Sequence, residues 1–374
     1  MTLSRRRFLS QATPLGLLPF IPACAGRAEG DAPGSEVAGL APGELFRHGV
    51  ASGDPLADAV ILWTRVTPPE GTTADGLDVE WRVASDPGLA DVVARGSALA
   101  TAETDFCVKV DVTGLAAASV YYYDFGVLGA RSGVGRTKTL PAAGVSRARL
   151  AVVSCANYPA GYFTVYRLLA ARNDLDLVLH LGDYLYEYAN GTYGDGQAIG
   201  RIPVPDRELL TLDDYRARHA QYKADADLQE LHRQHPMIAV WDDHEIANDG
   251  YRDGAANHQP AVEGDWALRK EGAMRAYFEW MPIRPPASGE SRVYREFEFG
   301  DLFDLILLDT RYAGRDAPAV RSCDQAALED GARGLLGAEQ EGWLFAGLRA
   351  SSARGARWRL LAQQVMLAQL SDPS

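Results

Sequence analysis

The order of strand-like and helix-like segments in residues 148–181 constrains the fold more than any other feature of this sequence. The strand-like segments are "ARLAVVSC" and "LDLVLHL", and the segment between them, "YFTVYRLLAAR", has the pattern of a helix. Two adjacent strands joined through a helix run parallel, and a parallel sheet needs helices to cover its faces. A third apolar run, "PMIAVW", occupies 236–241. We therefore predict a layered α/β domain with the bounds 147–374.

Residues 44–140 have a different pattern, in which short apolar or alternating runs are separated by Gly, Pro and Asp. The runs include "AVILWTRV", "VEWRVAS", "FCVKVDVTGL" and "SVYYYDFGV". Short strands with turn residues between them predict a small all-β sandwich. The segment "VTGLAAASVYYYDF" resembles the edge of a fibronectin type III domain, where a tyrosine closes a corner. The predicted fold class is thus an α/β domain preceded by a small fibronectin-like sandwich, with 27–43 as a linker.

We predict a twin-arginine export signal in residues 1–26, in which "SRRRFLS" is followed by the mildly apolar "QATPLGLLPFIPACAG". The alternative is a basic tail before a short core helix. It is disfavoured because Pro14, Pro19 and Pro22 would interrupt that helix. The expected partner in export is the twin-arginine translocase, and the expected location is periplasmic or extracellular.

Two cleavage sites stay open for this signal. Cleavage after the Ala-x-Ala of Ala23 to Ala25 would release a soluble protein, whereas cleavage before Cys24 would leave a lipid anchor. No later run of the sequence is long enough to predict a transmembrane segment. The mature protein is therefore expected to be soluble or lipid-anchored outside the cytoplasm.

Charge and cysteine content exclude two classes of protein. The formal net charge is −13, which disfavours binding to nucleic acid and means that an anionic substrate needs local positive charge from a metal or arginine. The four cysteines are Cys24, Cys107, Cys155 and Cys323, too few and too scattered for a disulfide scaffold. Cys107 lies in the strand-like "DFCVKVDV" and is expected to be a small buried residue. Cys155 differs because it ends a predicted strand.

Polar side chains follow all three predicted parallel strands. They are Cys155 and Asn157 after the first strand, Asp183, Tyr186 and Glu187 after the second, and Asp242, Asp243, His244 and Glu245 after the third. Ligands bind beyond the carboxyl ends of such strands. A thiolate, carboxylates and a phenolate in one pocket need cations to balance their charge, and a tyrosine oxygen favours ferric iron. We predict a metal cluster in which Asp183 bridges two ions and shares one of them with Tyr186.

Each of these residues also has an ordinary structural interpretation. A cysteine at a strand end is usually buried, Gly-Asp is usually a turn, and Asp-Asp-His-Glu can be a solvated loop or a helix cap. Their joint occurrence at three strand ends favours the metal cluster. His180 is expected in the core or beside the site. The remaining candidates, His219, His232 and His235, are expected on an exposed face of one charged helix.

The strand-end residues lie within longer motifs. These are "FRHGVASGDPLADAVILWTRVTP", "VVSCANYPAGYF", "VLHLGDYLYEY", "LTLDDYRARHAQYKADADLQELHRQHPMIAVWDDHE" and "LLDTR". The sequence from about residue 44 onward resembles the PhoD-type alkaline phosphatases and their phospholipase D relatives. The resemblance implies an N-terminal β-sandwich, a metallophosphoesterase-like catalytic domain, and activity on phosphate monoesters and often diesters.

The resemblance also implies a site with one ferric ion and two calcium ions. Matched by motif, Cys155 and Tyr186 would bind the iron, and Asp183 would bridge it to a second ion. Asp243 would be a further metal ligand. His244 would face the phosphate, and His244 and Asp183 would be the catalytic residues. The weaker candidates for substrate contact are Asn157 and Arg201, the latter within an irregular insertion at 189–210.

The family's later Gly-Asp-x-His motif does not occur before the sequence ends at "QLSDPS", so we expect the catalytic domain in 147–374 to be incomplete. The predicted function is that of a secreted metal-dependent phosphoesterase, in which a metal-bound oxide or hydroxide attacks phosphorus. His244 would orient the phosphate or protonate the leaving alkoxide. One alternative is a phospholipase D-type phosphodiesterase. The other is a binding protein with an inactive catalytic remnant.

Overall fold

The computed structural model describes residues 41–72, 76–286, 291–319 and 325–366. The predicted signal segment 1–26, with Arg5, Arg6 and Cys24, lies outside these ranges, as do residues 27–40 of the predicted linker and Cys323. Among the described residues, no helix is both long enough and apolar enough to cross a membrane.

The strands and helices of these ranges are numbered in chain order. The strands are β1 (Val50–Gly53), β2 (Ala59–Arg65), β3 (Leu77–Ala84), β4 (Val92–Ala100), β5 (Cys107–Thr113), β6 (Val120–Val127), β7 (Ala130–Arg131), β8 (Gly135–Lys138), β9 (Leu150–Val153), β10 (Leu177–His180), β11 (Met237–Ala239), β12 (Arg295–Phe299), β13 (Phe303–Leu307) and β14 (Trp358–Ala362). The helices are α1 (Pro42–Leu45), α2 (Thr164–Ala170), α3 (Leu212–Lys223), α4 (Ala226–Gln234), α5 (Pro260–Glu263), α6 (Trp266–Trp280), α7 (Gln325–Glu329) and α8 (Gly337–Arg354).

The predicted parallel strands form one half of a six-stranded sheet with the order β5-β2-β1-β11-β10-β9. Helix α2 joins β9 to β10, and helices α3 and α4 precede β11, as the β-α-β pattern predicts. Val178 at the centre pairs with Ala151 on one side and Met237 on the other, both in parallel register. The carboxyl ends of β9, β10 and β11 therefore meet at one edge of the sheet.

The N-terminal strands form the predicted β-sandwich. A second sheet has the order β4-β3-β6-β7, with β8 also paired to β6. It packs on β2 and β5 through a buried apolar cluster that includes Leu62, Val83, Val108 and Phe125. Together with the parallel strands, this confirms the predicted fold class. Cys107 is buried beside Trp63 and Trp280, also as predicted.

The sandwich and the parallel strands share one sheet, because β1 pairs in parallel with β11 through Gly53 and Met237. Glycine is required at position 53, since a Cβ there would lie 2.0 Å from the carbonyl oxygen of Pro282. The next residue, Asp54, is fully buried, and its carboxylate accepts hydrogen bonds from Arg295 Nη2 at 2.6 Å and from the backbone nitrogen of Arg284 at 2.7 Å. The "ASGDP" motif therefore holds β1 between the strands of the sandwich and the parallel strands. The domain bounds 44–140 and 147–374 stay predictions.

We predict that Asp54→Asn lowers the free energy of unfolding by about 3 kcal/mol, because it leaves the Arg295 guanidinium without its carboxylate partner. Asp54 has a φ of 42°, a conformation that asparagine tolerates, so the loss would come from the charge and not from the backbone. Urea unfolding followed by tryptophan fluorescence measures the change. The matched control is Asp111→Asn, which removes an exposed partner of Arg284 and should cost less than about 1 kcal/mol. Equal losses in the two variants would contradict this role of Asp54.

The expectation that His219, His232 and His235 lie on an exposed face of one helix is wrong. Helix α3 ends at Lys223, Asp225 caps a second helix, α4, and all three histidines are buried. His232 Nε2 lies 2.8 Å from the hydroxyl of Tyr184 and 2.9 Å from Lys223 Nζ. The charged sequence is misleading because several charged side chains of α3, among them Asp214, Arg218 and Lys223, are themselves buried. His180 is buried in the core, one of the two positions expected for it.

Candidate metal centre

Two of the predicted metal ligands leave their strands in a strained backbone conformation. Cys155 follows β9 with a φ of 61° and Asp183 follows β10 with a φ of 54°, in the left-handed region that non-glycine residues rarely adopt. Gly182, between β10 and Asp183, lies so close to the third strand end that a Cβ would be 2.3 Å from the backbone nitrogen of Asp242. Backbone strain of this kind clusters at functional sites. These strand ends are in close contact, as the sequence predicts.

Asp183 lies at the centre of the candidate site. Its Oδ2 accepts a hydrogen bond from the Tyr186 hydroxyl at 2.9 Å and lies 3.5 Å from Cys155 Sγ. Its other oxygen, Oδ1, is buried and has no hydrogen-bond partner. Asp183, Asp243 and His244 each offer a ligand atom, and these atoms lie within 4.8 Å of one another. The structure therefore brings together Cys155, Asp183, Tyr186, Asp243 and His244.

The electrostatics of this cluster fit a bound cation. Burial is the largest cause that raises the pKa of Asp183, and Asp243 adds to it, although His244 opposes the shift. Burial, followed by the charges of Asp183 and Cys155, likewise raises the pKa of the Tyr186 phenol. Without a cation these groups resist ionisation, and Asp183 Oδ1 lacks the partner that a buried carboxylate oxygen requires. A hard cation would satisfy both conditions.

His244 is held by a buried carboxylate that the sequence did not assign a role. Its Nδ1 lies 2.8 Å from Glu187 Oε2. Glu187 Oε1 in turn accepts hydrogen bonds from the backbone of Asn248 at 2.7 Å and the side chain of Asn257 at 3.1 Å. Burial lowers the pKa of His244, but the hydrogen bond and charge of Glu187, with Asp243 and Asp183, outweigh it and raise the pKa to about 9. Glu187 thereby fixes the ring and leaves Nε2 for other contacts.

Arg311 supplies positive charge to the third strand end. It lies after β13, in the "LLDTR" motif, and its Nε donates to Asp242 Oδ1 at 2.6 Å. Its Nη2 lies 3.4 Å from Asp243 Oδ1. The neighbouring Tyr312 donates its hydroxyl hydrogen to the Asp243 carbonyl at 2.8 Å. The loop after β13 therefore orients both aspartates from outside the parallel sheet.

The two predicted substrate-contacting residues have different surroundings. Asn157 lies beside the site and donates from Nδ2 to the carbonyl of Tyr193 at 2.7 Å. Arg201 is buried over the ring of Tyr158, at 3.6 Å from its centroid, and Arg201 Nη1 pairs with Asp225 at 2.7 Å. Its described contacts are therefore with the protein interior, and no contact joins it to Asp183 or His244 among the residues that the structure describes. A role for either residue in substrate binding stays a prediction.

Family models match almost the whole described chain. Residues 150–374 match the PhoD-like phosphatase model, and residues 36–141 match the model of the PhoD-like phosphatase N-terminal domain. The chain belongs to the PhoD-like phosphatase family. The resemblance inferred from the sequence motifs is thus confirmed.

A curated relative and a solved structure support this assignment to the PhoD-like phosphatases. Alkaline phosphatase D of Bacillus subtilis (strain 168) is 40% identical over 336 residues, which are 86% of this chain and 56% of that protein. A solved structure described as the structure of PhoD has a TM-score of 0.77 and 38% identity, and the match covers 90% of this chain and 64% of that one. The chain therefore spans a little more than half the length of the curated relative.

Two glutamates at the strand ends of this PhoD-like phosphatase have contacts that the sequence motifs do not reveal. Glu187 orients His244, and Glu245 accepts backbone hydrogen bonds from Tyr184 at 2.6 Å and Asp242 at 2.9 Å. Their positions in the sequence indicate a role at the site, because Glu187 immediately follows Tyr186 and Glu245 immediately follows His244. Arg311 could have been suspected from its place after a predicted strand in "LLDTR". Nothing in the local sequence marks which partners these side chains contact.

Proposed function

We propose that this chain is a metal-dependent phosphoesterase that hydrolyses phosphate monoesters. The observation that carries the proposal is the convergence of Asp183, Asp243 and His244 at the carboxyl ends of parallel strands, with Asp183 Oδ1 buried and unpartnered. Membership of the PhoD-like phosphatases supports the same reaction class.

We propose that Cys155, Asp183, Tyr186 and Asp243 hold the ions, with ferric iron at the thiol and phenol and calcium at the carboxylates. When bound, such ions polarise the phosphoryl group and activate the attacking nucleophile. The mixed donor set supports this assignment, because phenolate suits ferric iron and carboxylate oxygens suit calcium. Asp183 would be shared between the ions, because its Oδ2 faces Cys155 and Tyr186 while its Oδ1 is buried without a partner.

His244 would act as the acid that protonates the leaving alkoxide. Its Nδ1 donates to Glu187, so a proton on Nε2 is the one available for transfer. The hydrogen bond and the charge of Glu187 raise the pKa of His244 and so favour the protonated ring. Glu187 is then a positioning residue, because it fixes the orientation of the imidazole without touching the substrate.

The test compares two chromogenic substrates before and after metal removal. We expect p-nitrophenyl phosphate to be hydrolysed faster than bis(p-nitrophenyl) phosphate, and a chelator to abolish both activities until iron and calcium are restored. Faster hydrolysis of the diester would favour the phosphodiesterase alternative. Activity that persists after the metal has been removed, as measured by elemental analysis, would refute metal dependence. A protein that binds no metal, and that is inactive both as purified and after iron and calcium have been added, would support the binding-protein alternative.

We also propose that the protein is exported by the twin-arginine route. The support is the sequence "SRRRFLS" at residues 4–10. Replacing Arg5, Arg6 and Arg7 by lysine keeps the charge and removes the paired guanidinium groups that the translocase recognises. We expect the variant to accumulate in the cytoplasm as the uncleaved precursor, measured by cell fractionation. Undiminished export would show that the signal is of another kind.

A further inference from the structure

The two adjacent aspartates after β11 have different surroundings. Asp243 offers a ligand atom within 4.8 Å of those of Asp183 and His244. Asp242 is not a member of that group among the described residues, and its Oδ1 accepts a hydrogen bond from Arg311 Nε at 2.6 Å. The contact of Arg311 with the Asp243 carboxylate is longer, at 3.4 Å between Nη2 and Oδ1. Arg311 therefore pairs with Asp242 and leaves Asp243 beside the candidate metal centre.

The loop after β13 holds Arg311 in this position. The buried carboxylate of Asp309 accepts hydrogen bonds from the backbone nitrogens of Arg311 at 2.9 Å and Tyr312 at 2.8 Å. Gln340 of α8 accepts a hydrogen bond from the backbone nitrogen of Asp309 and donates one to its carbonyl, both at 2.8 Å. The guanidinium is therefore placed by protein contacts, and it needs no bound ion to reach Asp242.

The charge of Asp242 makes this pairing matter for a cation at Asp183. Two carboxylates that follow one another at a strand end attract the same ion, and each added carboxylate strengthens the binding of a hard cation. The side chains of Arg311 and Asp242 are only 9% and 16% exposed, so solvent screens their charges weakly. An ion that recruited Asp242 would leave the Arg311 guanidinium buried without this partner, which is unfavourable. The ion pair therefore resists the transfer of Asp242 to an ion.

We propose that Arg311 is a positioning residue that withholds Asp242 from the metal centre and leaves Asp243 as the ligand from this strand end. The inference rests on the proposed function, because it takes Asp183 and Asp243 as metal ligands. Arg311 acts through the two aspartates, and no step of phosphate ester hydrolysis is assigned to it. Its guanidinium limits the number of carboxylates that share an ion, and this number governs the affinity of a site for calcium.

Calcium titration of the metal-free protein tests this role. Arg311→Met removes the charge and keeps a long side chain, so Asp242 becomes available, and we expect calcium to bind about tenfold more tightly than in the wild type. Adding Asp242→Asn to Arg311→Met should cancel this gain and return the affinity to within about threefold of the wild type. Isothermal titration calorimetry with calcium chloride measures the dissociation constants.

The matched control is Arg315→Met, which removes a positive charge near the same aspartates. Arg315 lies within electrostatic range of Asp242 and Asp243, but it forms no ion pair with either of them among the described residues. We expect Arg315→Met to strengthen calcium binding by less than about threefold. Equal gains in Arg315→Met and Arg311→Met would show that Arg311 acts through its charge alone and would overturn the proposal. Weaker calcium binding in Arg311→Met than in the wild type would do the same.

The variant with both Arg311→Met and Asp242→Asn keeps the test decisive if Arg311→Met alone does not fold, because it leaves no unpaired charge at this position. Urea unfolding in chelator shows whether each variant is folded. Calcium binding about tenfold weaker in the double variant than in the wild type would mean that Asp242 is already a ligand, and the proposal would be wrong.

Failure of the proposed metal centre has a separate signature. If the wild-type protein binds no calcium, or binds it no more tightly than Asp183→Asn does, the metal centre is wrong and the role of Arg311 is overturned with it. If calcium binds to the wild type and only weakly to Asp183→Asn, the metal centre is supported, and the comparison of Arg311→Met with Arg315→Met decides the role of Arg311.

Discussion

Asp183→Asn is expected to abolish metal-dependent hydrolysis of phosphate esters while leaving the metal-free fold intact. Asp183 contacts Cys155 and Tyr186, and its ligand atom lies within 4.8 Å of those of Asp243 and His244. Its charge is therefore close to every other residue of the cluster. An amide cannot bridge two cations as a carboxylate does. We expect kcat/KM for p-nitrophenyl phosphate to fall by about 1000-fold or more. Bound metal, measured by elemental analysis, should fall with it.

The stability of the Asp183→Asn variant shows whether Asp183 acts as a metal ligand or as a residue that stabilises the fold. The folded pKa of Asp183 is raised, mainly by burial. A carboxyl whose folded pKa lies above its unfolded value opposes folding once the pH exceeds the unfolded value, so asparagine removes a cost at neutral pH. In chelator, Asp183→Asn should therefore unfold at the same or a higher urea concentration than the wild type. Added metal should stabilise only the wild type.

The control for this variant is Asp78→Asn, which changes an exposed aspartate of β3. It should retain activity, metal content and stability. A normal metal content in Asp183→Asn would exclude Asp183 as a ligand. Unfolding of the metal-free variant at a lower urea concentration than the wild type would indicate that the carboxylate holds the fold together instead.

Tyr186→Phe is expected to remove the visible colour of the iron-loaded protein. A buried phenol whose pKa is raised stays protonated unless a cation favours the phenolate, and a trivalent ion in a low-dielectric pocket does so strongly. Ferric iron bound to phenolate absorbs visible light, whereas zinc, calcium and magnesium do not. The substitution keeps the ring and removes one oxygen, so we expect loss of the absorption band, loss of most bound iron and a fall in kcat of about 100-fold. Visible absorption and elemental analysis measure the first two.

Other tyrosines near the site allow the assignment to be checked. Tyr184 directs its hydroxyl to His232 at 2.8 Å, and Tyr158 packs under Arg201, so neither hydroxyl has a described contact with Asp183. Tyr188 lies on His244, with ring centroids 5.5 Å apart, and Tyr188→Phe is the matched control that should keep the band. A coloured Tyr186→Phe protein with normal iron would place the phenolate elsewhere.

The convergence of the polar residues at the strand ends could be predicted from the sequence because the relevant signals are local. Each parallel strand is a short apolar run, and the polar residue that follows it must leave the sheet at the same edge as its neighbours. This rule, together with the spacing of three residues between Asp183 and Tyr186, was enough to predict that the two side chains lie close together. The strand order β9-β10-β11 follows from the helices between them.

The features that the sequence did not predict depend on partners far away in the chain. The histidines of α3 and α4 lie among charged residues, yet they are buried, because burial depends on what packs against a helix. The pairing of β1 with β11 cannot be predicted from the residues that lie between them in the sequence. Tyr193 lies in an irregular insertion, and its contacts with Asn157, Tyr186 and His244 are what place it beside the site.

The pairing of β1 with β11 has a consequence for the order of folding. Gly53 finds its parallel partner only at Met237, so the N-terminal strands cannot complete their sheet until synthesis has passed β11. Until then the edge of β1 is unpaired, and an unpaired edge can recruit strands of other chains. A protein cut between residues 140 and 147 would keep that edge open permanently. The two halves that match separate family models are therefore expected to reach the native state only as one cooperative unit.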